Sequence, residues 1–292
     1  MMRRLALGAC AALFAMPALA DGPQAHPDAR RILAVGGTVT EIIYAIGEQD
    51  RLIARDSSSV YPAKALDLPD VGYMRRLSAE NVLSLRPDLI LAEEGAGPPE
   101  AVALLQSSGI AFETIPDAAD AAGIEARITA VAQALGEESA VEPYLDELRA
   151  DLGQLEALNA NVTPRRVLFI LSLQGGRVLA SGTDTAADAM IRLAGAENAV
   201  TGFSGYKPLT DEAIMAAAPD LILMMHRDPI SDSDPILQEP GDAQIWSMPA
   251  IAATPAGQNH AILRMNAQYL LGFGPRAGKA GLDLHRAIYG GA

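Results

Sequence analysis

Two stretches of the sequence decide the fold, LSAENVLSLRPDLIL (Leu77–Leu91) and LTDEAIMAAAPDLIL (Leu209–Leu223). Aligned without a gap, they share seven residues. Each has a Ser or Thr where a helix would begin, and each ends in Pro-Asp and a short apolar run typical of a buried strand. Coincidence between two α/β segments is the alternative, but an ungapped match of this length favours a repeated helix–strand unit. The repeat predicts two similar halves.

The sequence around each repeat alternates strands with helices. In the first half, RILAVGG (31–37) predicts a buried strand with a glycine turn, and the helix that follows has Thr38 or Thr40 as its expected N-cap. In the second half, RRVLFILSLQGGRVLASG (165–182) predicts two strands around a Gly-Gly turn. Such alternation is typical of a mostly parallel sheet covered by helices.

This pattern predicts an α/β fold with two similar lobes and a ligand cleft between them. The N-terminal lobe is expected over residues 31–137 and the C-terminal lobe over residues 163–292. Residues 138–162 carry one apolar helical stripe, formed by Val141, Leu145, Leu148, Leu152 and Leu155. A single long helix is stiffer than a Gly/Ser linker. We therefore expect a rigid linking helix and a largely pre-formed cleft.

The first twenty residues have the pattern of a cleavable signal peptide. Arg3 and Arg4 precede an apolar stretch, which ends in the cleavage motif Ala-Leu-Ala at Ala20. The alternative of a membrane anchor needs a longer apolar stretch. Cys10 leaves a lipoprotein signal open, but little apolar sequence precedes it. We predict export with cleavage after Ala20, followed by a flexible lead-in over residues 21–30.

The composition excludes several classes of partner and site. Without Arg3 and Arg4, the 22 basic residues become 20 against 36 acidic ones, so the mature chain carries a net charge of about −16. Nucleic acid is an unsuitable partner, because phosphate binding needs a basic surface. Cys10 is the one cysteine of the sequence, so the mature chain has neither a disulfide nor a thiolate metal site.

An exported chain of two similar α/β lobes joined by one long helix resembles the class III substrate-binding proteins of bacterial ABC importers. The stretch GYMRRLSAENVLSLRPDLIL (72–91) resembles the periplasmic haem-binding proteins in particular, which a Tyr-x-Arg step separates from their relatives. The resemblance implies a monomeric carrier in the periplasm, with haem (iron protoporphyrin IX) as its transported ligand. It also implies an ABC permease dimer of the inner membrane as partner, and an outer-membrane haem receptor system as a further one.

The resemblance assigns the axial ligand of the haem iron to Tyr73. Ferric iron favours an anionic oxygen donor, and tyrosine ligation of haem is known. A free phenol has a pKa of about 10, so it ionises with help from the iron and from a nearby cation. The resemblance implies Arg75 as that cation, with a haem propionate as its second target. From the residues alone, a turn tyrosine packed on the lobe surface is the alternative.

The second lobe offers further candidates for haem contacts. Some family members present a histidine after the first strand of this lobe, where this chain has Gln174, a poor iron ligand. Tyr206 lies upstream of its helix as Tyr73 does, and we expect it to stack on the porphyrin, to bond a propionate or only to pack at the rim. His226 is a candidate second-side ligand, although a lone histidine is more often a surface residue.

Two propionates need cations, and guanidinium groups suit carboxylates. Arg227 follows the strand-like LILMMH, at the edge where α/β sheets present ligands, and Arg177 follows the Gly-Gly turn. Glu80 and Glu212 occupy the same place in the two repeats. Such acids stabilise a helix N-terminus, whereas in related importers paired glutamates contact arginines of the two permease subunits. We favour a permease-docking role for this pair.

Several alternatives explain part of the sequence. A carrier of a ferric siderophore or cobalamin accounts equally well for the lobes, the helix and the glutamates, but it does not need Tyr-x-Arg. A zinc or manganese carrier needs three or four converging ligands, whereas His226, His260 and His285 are widely spaced. An enzyme lacks support, because neither a G-x-S-x-G elbow nor a G-x-G-x-x-G fingerprint is present. We predict a carrier without catalytic activity.

Overall fold

The computed structural model describes residues 22–226, 236–237 and 243–290. The predicted signal peptide with Cys10 lies outside the described residues, and so does Arg227. Within the described ranges, no helix is both long enough and apolar enough to cross a membrane.

The first half of the chain forms a four-stranded sheet in the order β2-β1-β3-β4, and all of its strand pairs are parallel. The strands are β1 (Ile32–Val35), β2 (Leu52–Arg55), β3 (Leu89–Glu93) and β4 (Ala111–Ile115). The helices are α1 (Gly37–Ala45), α2 (Ala79–Ser84), α3 (Pro99–Gln106) and α4 (Ala121–Leu135). Helix α5 (Glu142–Asn159) then leads to the second half.

The second half forms a seven-stranded mixed sheet in the order β10-β11-β9-β5-β6-β8, with β7 paired to β5. Its strands are β5 (Arg166–Gln174), β6 (Arg177–Ser181), β7 (Glu197–Asn198), β8 (Tyr206–Leu209), β9 (Leu221–His226), β10 (Ile236–Leu237) and β11 (Ile262–Asn266). Its helices are α6 (Ala186–Leu193), α7 (Asp211–Ala217), α8 (Ala243–Trp246), α9 (Pro249–Ala252), α10 (Pro255–Gln258), α11 (Ala267–Leu271) and α12 (Ala277–Tyr289). The predicted α/β fold with mostly parallel strands is confirmed.

The repeated Pro-Asp has the same structural role in both halves. The Asp88 carboxylate accepts hydrogen bonds from the backbone N–H groups of Arg30 and Arg31, just before β1. The Asp220 carboxylate accepts one from the N–H of Arg166 at the start of β5. In each half, the aspartate before one strand therefore fixes the start of the neighbouring strand. This shared geometry gives the aspartate of the repeat the same structural role in each half.

Local sequence signals predicted some helix starts and missed others. Ser78 and Thr210 cap α2 and α7, since their hydroxyl oxygens accept hydrogen bonds from the N–H groups of Asn81 and Ala213. The N-cap predicted at Thr38 or Thr40 is wrong, because α1 already begins at Gly37. Both threonines are buried inside the first turn, where Thr38 donates to the carbonyl of Gly272 at 2.6 Å and Thr40 bonds Ser59 at 2.8 Å. Both hydroxyls therefore form tertiary hydrogen bonds and do not cap the helix.

Helix α5 occupies most of the predicted linking segment. Leu145, Leu148 and Leu155 of the predicted stripe are buried, and the helix packs against α12. One hydrophobic cluster runs through both halves, with Ile32 and Leu89 from the first sheet and Leu221 and Leu223 from the second among its members. One face of each sheet thus contributes to a common core, and the stiffness of the junction between the two sheets stays a prediction.

The lead-in is docked against the first half rather than free of it. The Nε2 atom of His26 lies 2.8 Å from a carboxylate oxygen of Glu113 in β4, and the backbone N–H of His26 donates to Ala134 in α4. The sequence of this segment has two prolines and no hydrophobic periodicity, so it did not predict these contacts. Residues 22–30 therefore differ from the flexible segment expected there, because polar partners more than 80 positions away hold them.

Candidate functional site

Tyr73 lies on a loop between β2 and α2 with its side chain open to solvent. It precedes a short 3₁₀ helix, Met74–Arg76, and adopts an extended backbone conformation, while Gly72 makes the turn before it at φ +96°. The Tyr73 side chain is 46% exposed. Among the described residues, its hydroxyl makes no hydrogen bond and the exposed guanidinium of Arg75 makes no ion pair. Both groups are available to a ligand.

Backbone hydrogen bonds hold this loop on both sides. The N–H of Ser57, after β2, donates to the carbonyl of Gly72 at 2.9 Å. On the other side, Leu77 donates to the carbonyl of Gly97 at 2.7 Å, and Gly97 donates to that of Met74 at 2.9 Å. The loop is therefore part of the carboxyl edge of the first sheet, where parallel α/β sheets bind ligands.

Tyr206 begins β8 in the second half, with its ring partly exposed and its hydroxyl held. The ring centroid lies 6.4 Å from that of Phe169 in β5. The hydroxyl is hydrogen-bonded to the Thr185 side chain and to the backbone of Ala187, at the start of α6. Burial raises the pKa of the Tyr206 phenol, while these two hydrogen bonds and the positive charge of Arg75 oppose the rise.

The charge of Arg75 connects the two halves at this point. Arg75 belongs to the loop of Tyr73, yet its guanidinium is close enough to Tyr206 to lower the pKa of that phenol. The loop of Tyr73 and Arg75 therefore lies within electrostatic range of Tyr206 in the other half, and the space between Arg75 and Tyr206 is called the gap below. An anionic group in this gap would meet a cation and exposed aromatic surface.

Glu93 is a buried acid whose pKa Arg75 also lowers, and the sequence did not single it out. It ends β3, with its side chain 12% exposed, and a carboxylate oxygen lies 3.8 Å from the guanidinium of the fully buried Arg127. Burial raises the pKa of Glu93 from 4.5 to about 7; Arg127 and Arg75 lower it, and Asp117 and Asp56 raise it. The signal in the sequence was weak, since LILAEE reads only as the end of a strand.

Glu93 is expected to make the stability of the protein fall as the pH rises from about 4.5 to about 7. Its folded-state pKa of about 7 exceeds the ordinary value of 4.5, so the folded state binds the proton more tightly. The resulting stabilisation is complete below pH 4.5 and is lost as the pH rises to about 7, with an upper limit of about 3 kcal/mol. Glu93→Gln should flatten the pH dependence of the free energy of unfolding in this window, measured by urea denaturation.

The exposed neighbour Glu94 provides the control for this prediction. Glu94→Gln makes the same chemical change one position further on, outside the buried site. If Glu93→Gln and Glu94→Gln follow the same pH dependence as the unmodified protein, Glu93 does not carry the raised pKa.

The remaining described residues of the second half that were predicted to contact haem lie on three different strands. Gln174 ends β5 and pairs with Arg177 across the hairpin, whose turn contains Gly175 and Gly176 at positive φ. The Arg177 side chain is exposed and makes no ion pair with a described residue. His226 is half-buried at the carboxyl end of β9, next to Arg227, which lies outside the described residues. The described residues contain no group of three or more His, Cys, Asp or Glu that could hold a metal ion.

Glu80 and Glu212 occupy equivalent places in the structure. Each is exposed in the first turn of its helix, two residues after the capping Ser78 or Thr210. Hydrogen bonds from its own backbone and from Thr210 lower the pKa of Glu212. Glu212 therefore helps to cap α7, as the helix-stabilising interpretation predicts, while its exposure leaves it accessible to a partner.

The chain belongs to the periplasmic binding protein family, whose model matches residues 32–269. Among solved structures, it is similar to the periplasmic haem-binding protein BhuT in complex with two haems, with a TM-score of 0.80 and 41% identity over 88% of this chain and 97% of that one. It is also similar to the periplasmic haem-binding protein RhuT from Roseiflexus sp. RS-1, with a TM-score of 0.80 and 36% identity over 89% and 98% of the two chains. The predicted resemblance is confirmed.

Sequence relatives point to a second ligand class. The chain is 31% identical to the vitamin B12-binding protein of Vibrio cholerae over 60% of its own length and 62% of that protein. It is 28% identical to the ABC transporter substrate-binding lipoprotein YvrC of Bacillus subtilis over 66% and 63% of the two lengths. The chain thus spans less than two thirds of these two relatives. All four proteins are described as binding proteins, and the chain is a class III binding protein of this kind.

Proposed function

We propose that this protein binds haem in the gap between its two halves and delivers it to an ABC permease. The observation that carries the proposal is the free Tyr73 phenol beside Arg75, whose charge reaches Tyr206 of the other half. The likeness to two periplasmic haem-binding proteins above 35% identity supports the same ligand. On this proposal the mature chain begins after Ala20 and works in the periplasm, and N-terminal sequencing of the exported protein tests that site.

In this proposal Tyr73 binds the ferric iron as a phenolate. Arg75 stabilises the negative charge of the phenolate or contacts a propionate, and its position near Tyr206 suits both tasks. Tyr206 contributes its ring edge or its hydroxyl on the facing side. Arg177 and Arg227 are the remaining cations for the propionates, whereas His226 and Gln174 are the candidate groups on the second face of the iron.

Cobalamin is the alternative ligand, and the vitamin B12-binding relative of Vibrio cholerae favours it. Cobalamin carries its own corrin and lower axial base, so it does not need a protein phenolate. The paired Tyr73 and Arg75 have no assigned task in that case. A ferric siderophore remains a third ligand of the same class.

A parallel titration tests the proposed function. The purified mature protein is titrated with haemin, with iron-free protoporphyrin IX and with cyanocobalamin, and binding is followed by visible absorption. We expect saturable haemin binding with a high-spin ferric spectrum and a tyrosinate charge-transfer band, and weaker binding of the iron-free porphyrin. Saturable binding of cyanocobalamin without a haemin response would instead assign the protein to vitamin B12 transport.

The glutamate pair is proposed to dock the carrier on its permease. Charge reversal at both sites, Glu80→Lys with Glu212→Lys, is expected to lower haem transport by a reconstituted permease at least tenfold. The two lysines would repel the arginines proposed to contact these glutamates on the two permease subunits. Haemin affinity in solution should not change, since both side chains are exposed on helices and neither belongs to a tyrosine loop. Transport into proteoliposomes and haemin titration measure the two effects separately.

Glu100→Lys is the matched control for this experiment. Glu100 is an exposed acid in the first turn of α3, so the substitution makes on a neighbouring helix the charge change that the double variant makes at each of its two sites. Equal losses of transport in Glu100→Lys and in the double variant would show a general effect of surface charge rather than docking.

A further inference from the structure

Asp56 is a fully buried carboxylate directly after β2, at the carboxyl edge of the first sheet. Its Oδ1 accepts hydrogen bonds from the N–H of Gly36 at 3.0 Å and from the hydroxyl of Ser59 at 2.8 Å. Its Oδ2 accepts from the N–H and the hydroxyl of Ser58, at 2.9 and 2.7 Å, and from the N–H of Met74 at 3.3 Å. Five donors from three segments of the chain therefore meet on one side chain.

These donors are all neutral groups. The adjacent Arg55 directs its guanidinium to the backbone carbonyl of Asp56 and to the carboxylate of Asp70, so it is no direct partner of the Asp56 carboxylate. A buried carboxylate is stable only when its oxygens are fully hydrogen-bonded. The Asp56 carboxylate consequently constrains the backbone around it, because moving any one donor away would leave a buried negative charge with too few hydrogen bonds.

The hydrogen bond from Met74 connects this network to the loop that carries Tyr73 and Arg75. Met74 lies between Tyr73 and Arg75, and its N–H is the first backbone donor of the short 3₁₀ helix that follows Tyr73. Fixing this N–H fixes the directions in which the two neighbouring side chains leave the loop. We propose that Asp56 is the positioning residue of the ligand-binding loop, holding Tyr73 and Arg75 in the gap between the two halves.

The second half of the protein extends this support. Gln268 of α11 accepts hydrogen bonds from the N–H groups of Val60 and Tyr61, both at 3.0 Å, and donates to the carbonyl of Gly37 at 2.9 Å. The turn of residues 56–61 is therefore anchored from both halves. Through Asp56 and this turn, the loop of Tyr73 is connected to α11 of the second half as well as to the first sheet.

The inference assigns to Asp56 a role in the proposed haem site, but its first test needs no haem. Asp56→Asn replaces one acceptor oxygen with an NH₂ group, so in either orientation of the amide at least one backbone N–H among Gly36, Ser58 and Met74 loses its acceptor, and the network that holds Met74 should loosen. Hydrogen exchange of the unliganded protein is measured by mass spectrometry over residues 70–77. We expect at least tenfold faster exchange of this segment in Asp56→Asn, with other segments of the folded variant unchanged.

Haemin binding provides the second readout. In Asp56→Asn, which retains Tyr73, we expect haemin to dissociate at least tenfold faster and the charge-transfer band to shift. Tyr289→Phe is the control, because it removes hydrogen bonds to Arg165 and Gly195, remote in sequence from this loop. If Asp56→Asn does not fold, Ser58→Ala removes one donor to Oδ2 and should change exchange and spectrum in the same direction.

The outcomes separate this inference from the proposed function. Wild-type exchange over residues 70–77 in a folded Asp56→Asn overturns the positioning role, whatever the ligand. An unchanged haemin spectrum and dissociation rate in that variant overturn it for the iron site. Faster exchange in Asp56→Asn together with no haemin binding by the wild-type protein would support the positioning role and reject haem as the ligand.

Discussion

Replacing Tyr73 with phenylalanine is expected to weaken haemin binding by about a hundredfold, equivalent to about 2.7 kcal/mol. The substitution keeps the ring on its exposed loop and removes only the oxygen that would bind the iron. Because a phenolate is the anionic donor that ferric iron favours, its loss should abolish the tyrosinate charge-transfer band. Haemin titration by visible absorption measures the affinity and the band in one experiment.

Tyr206→Phe is the matched control, since it removes the hydroxyl of the corresponding tyrosine in the second half. That hydroxyl already bonds Thr185 and Ala187, so we expect an affinity change below tenfold and an unchanged band. If Tyr73→Phe binds haemin with the wild-type spectrum, the iron ligand lies elsewhere. Loss of the charge-transfer band in Tyr206→Phe would then assign the iron ligand to Tyr206. Retention of the band in both variants would make His226 the next residue to substitute.

The second large effect is expected for Glu41, whose removal should destabilise the fold by about 3 to 5 kcal/mol. Glu41 in α1 accepts two hydrogen bonds from the guanidinium of Arg276, at 2.8 and 2.9 Å, and the side chains are 6% and 20% exposed. Gln268 donates to the same carboxylate at 3.1 Å. The guanidinium also lies 3.4 Å from the ring centroid of Tyr61. This cluster joins the first half of the chain to the second.

Glu41→Ala leaves the charge of Arg276 buried without its partner, and this desolvated charge is the source of the expected loss. Urea denaturation should show a lower midpoint with an unchanged slope. The double variant Glu41→Met with Arg276→Met should recover part of the stability, because apolar side chains of similar volume do not leave an unpaired charge.

The pair Arg149–Glu125 provides the comparison at the surface. The Nη2 atom of Arg149 lies 2.6 Å from a carboxylate oxygen of Glu125, but both side chains are much more exposed than those of Glu41 and Arg276. Glu125→Ala is expected to change the free energy of unfolding by less than about 1 kcal/mol. Equal effects of Glu41→Ala and Glu125→Ala would contradict the argument that burial sets the value of the Glu41–Arg276 pair.

Short-range signals predicted the elements of the fold well. The caps at Ser78 and Thr210 and the Gly175-Gly176 turn depend on a few neighbouring residues, so they could be inferred locally. The buried face of α5 follows from the spacing of its leucines. The cap predicted at Thr38 is wrong because α1 already begins at Gly37, and the Thr38 hydroxyl donates to the carbonyl of the distant Gly272.

The candidate site was only half visible in the sequence. Tyr73 and Arg75 were found because their spacing is a recognisable pattern, and the repeat led to Tyr206. Asp56 and Glu93 were missed because their importance depends on burial and on donors or charges from several strands. Neither acid differs in its local sequence from an ordinary residue at the end of a strand.

The sequence by itself determined the class of this protein, through the repeated helix–strand unit, the alternation of strands and helices, and the Tyr-x-Arg step. These features are encoded in residues near one another in the chain. Only the tertiary structure decided that Asp56 accepts a hydrogen bond from Met74, that Glu41 pairs with Arg276 and that the charge of Arg75 lowers the pKa of Tyr206. Each of these depends on groups that folding brings together and removes from water, where hydrogen bonds and charges act most strongly.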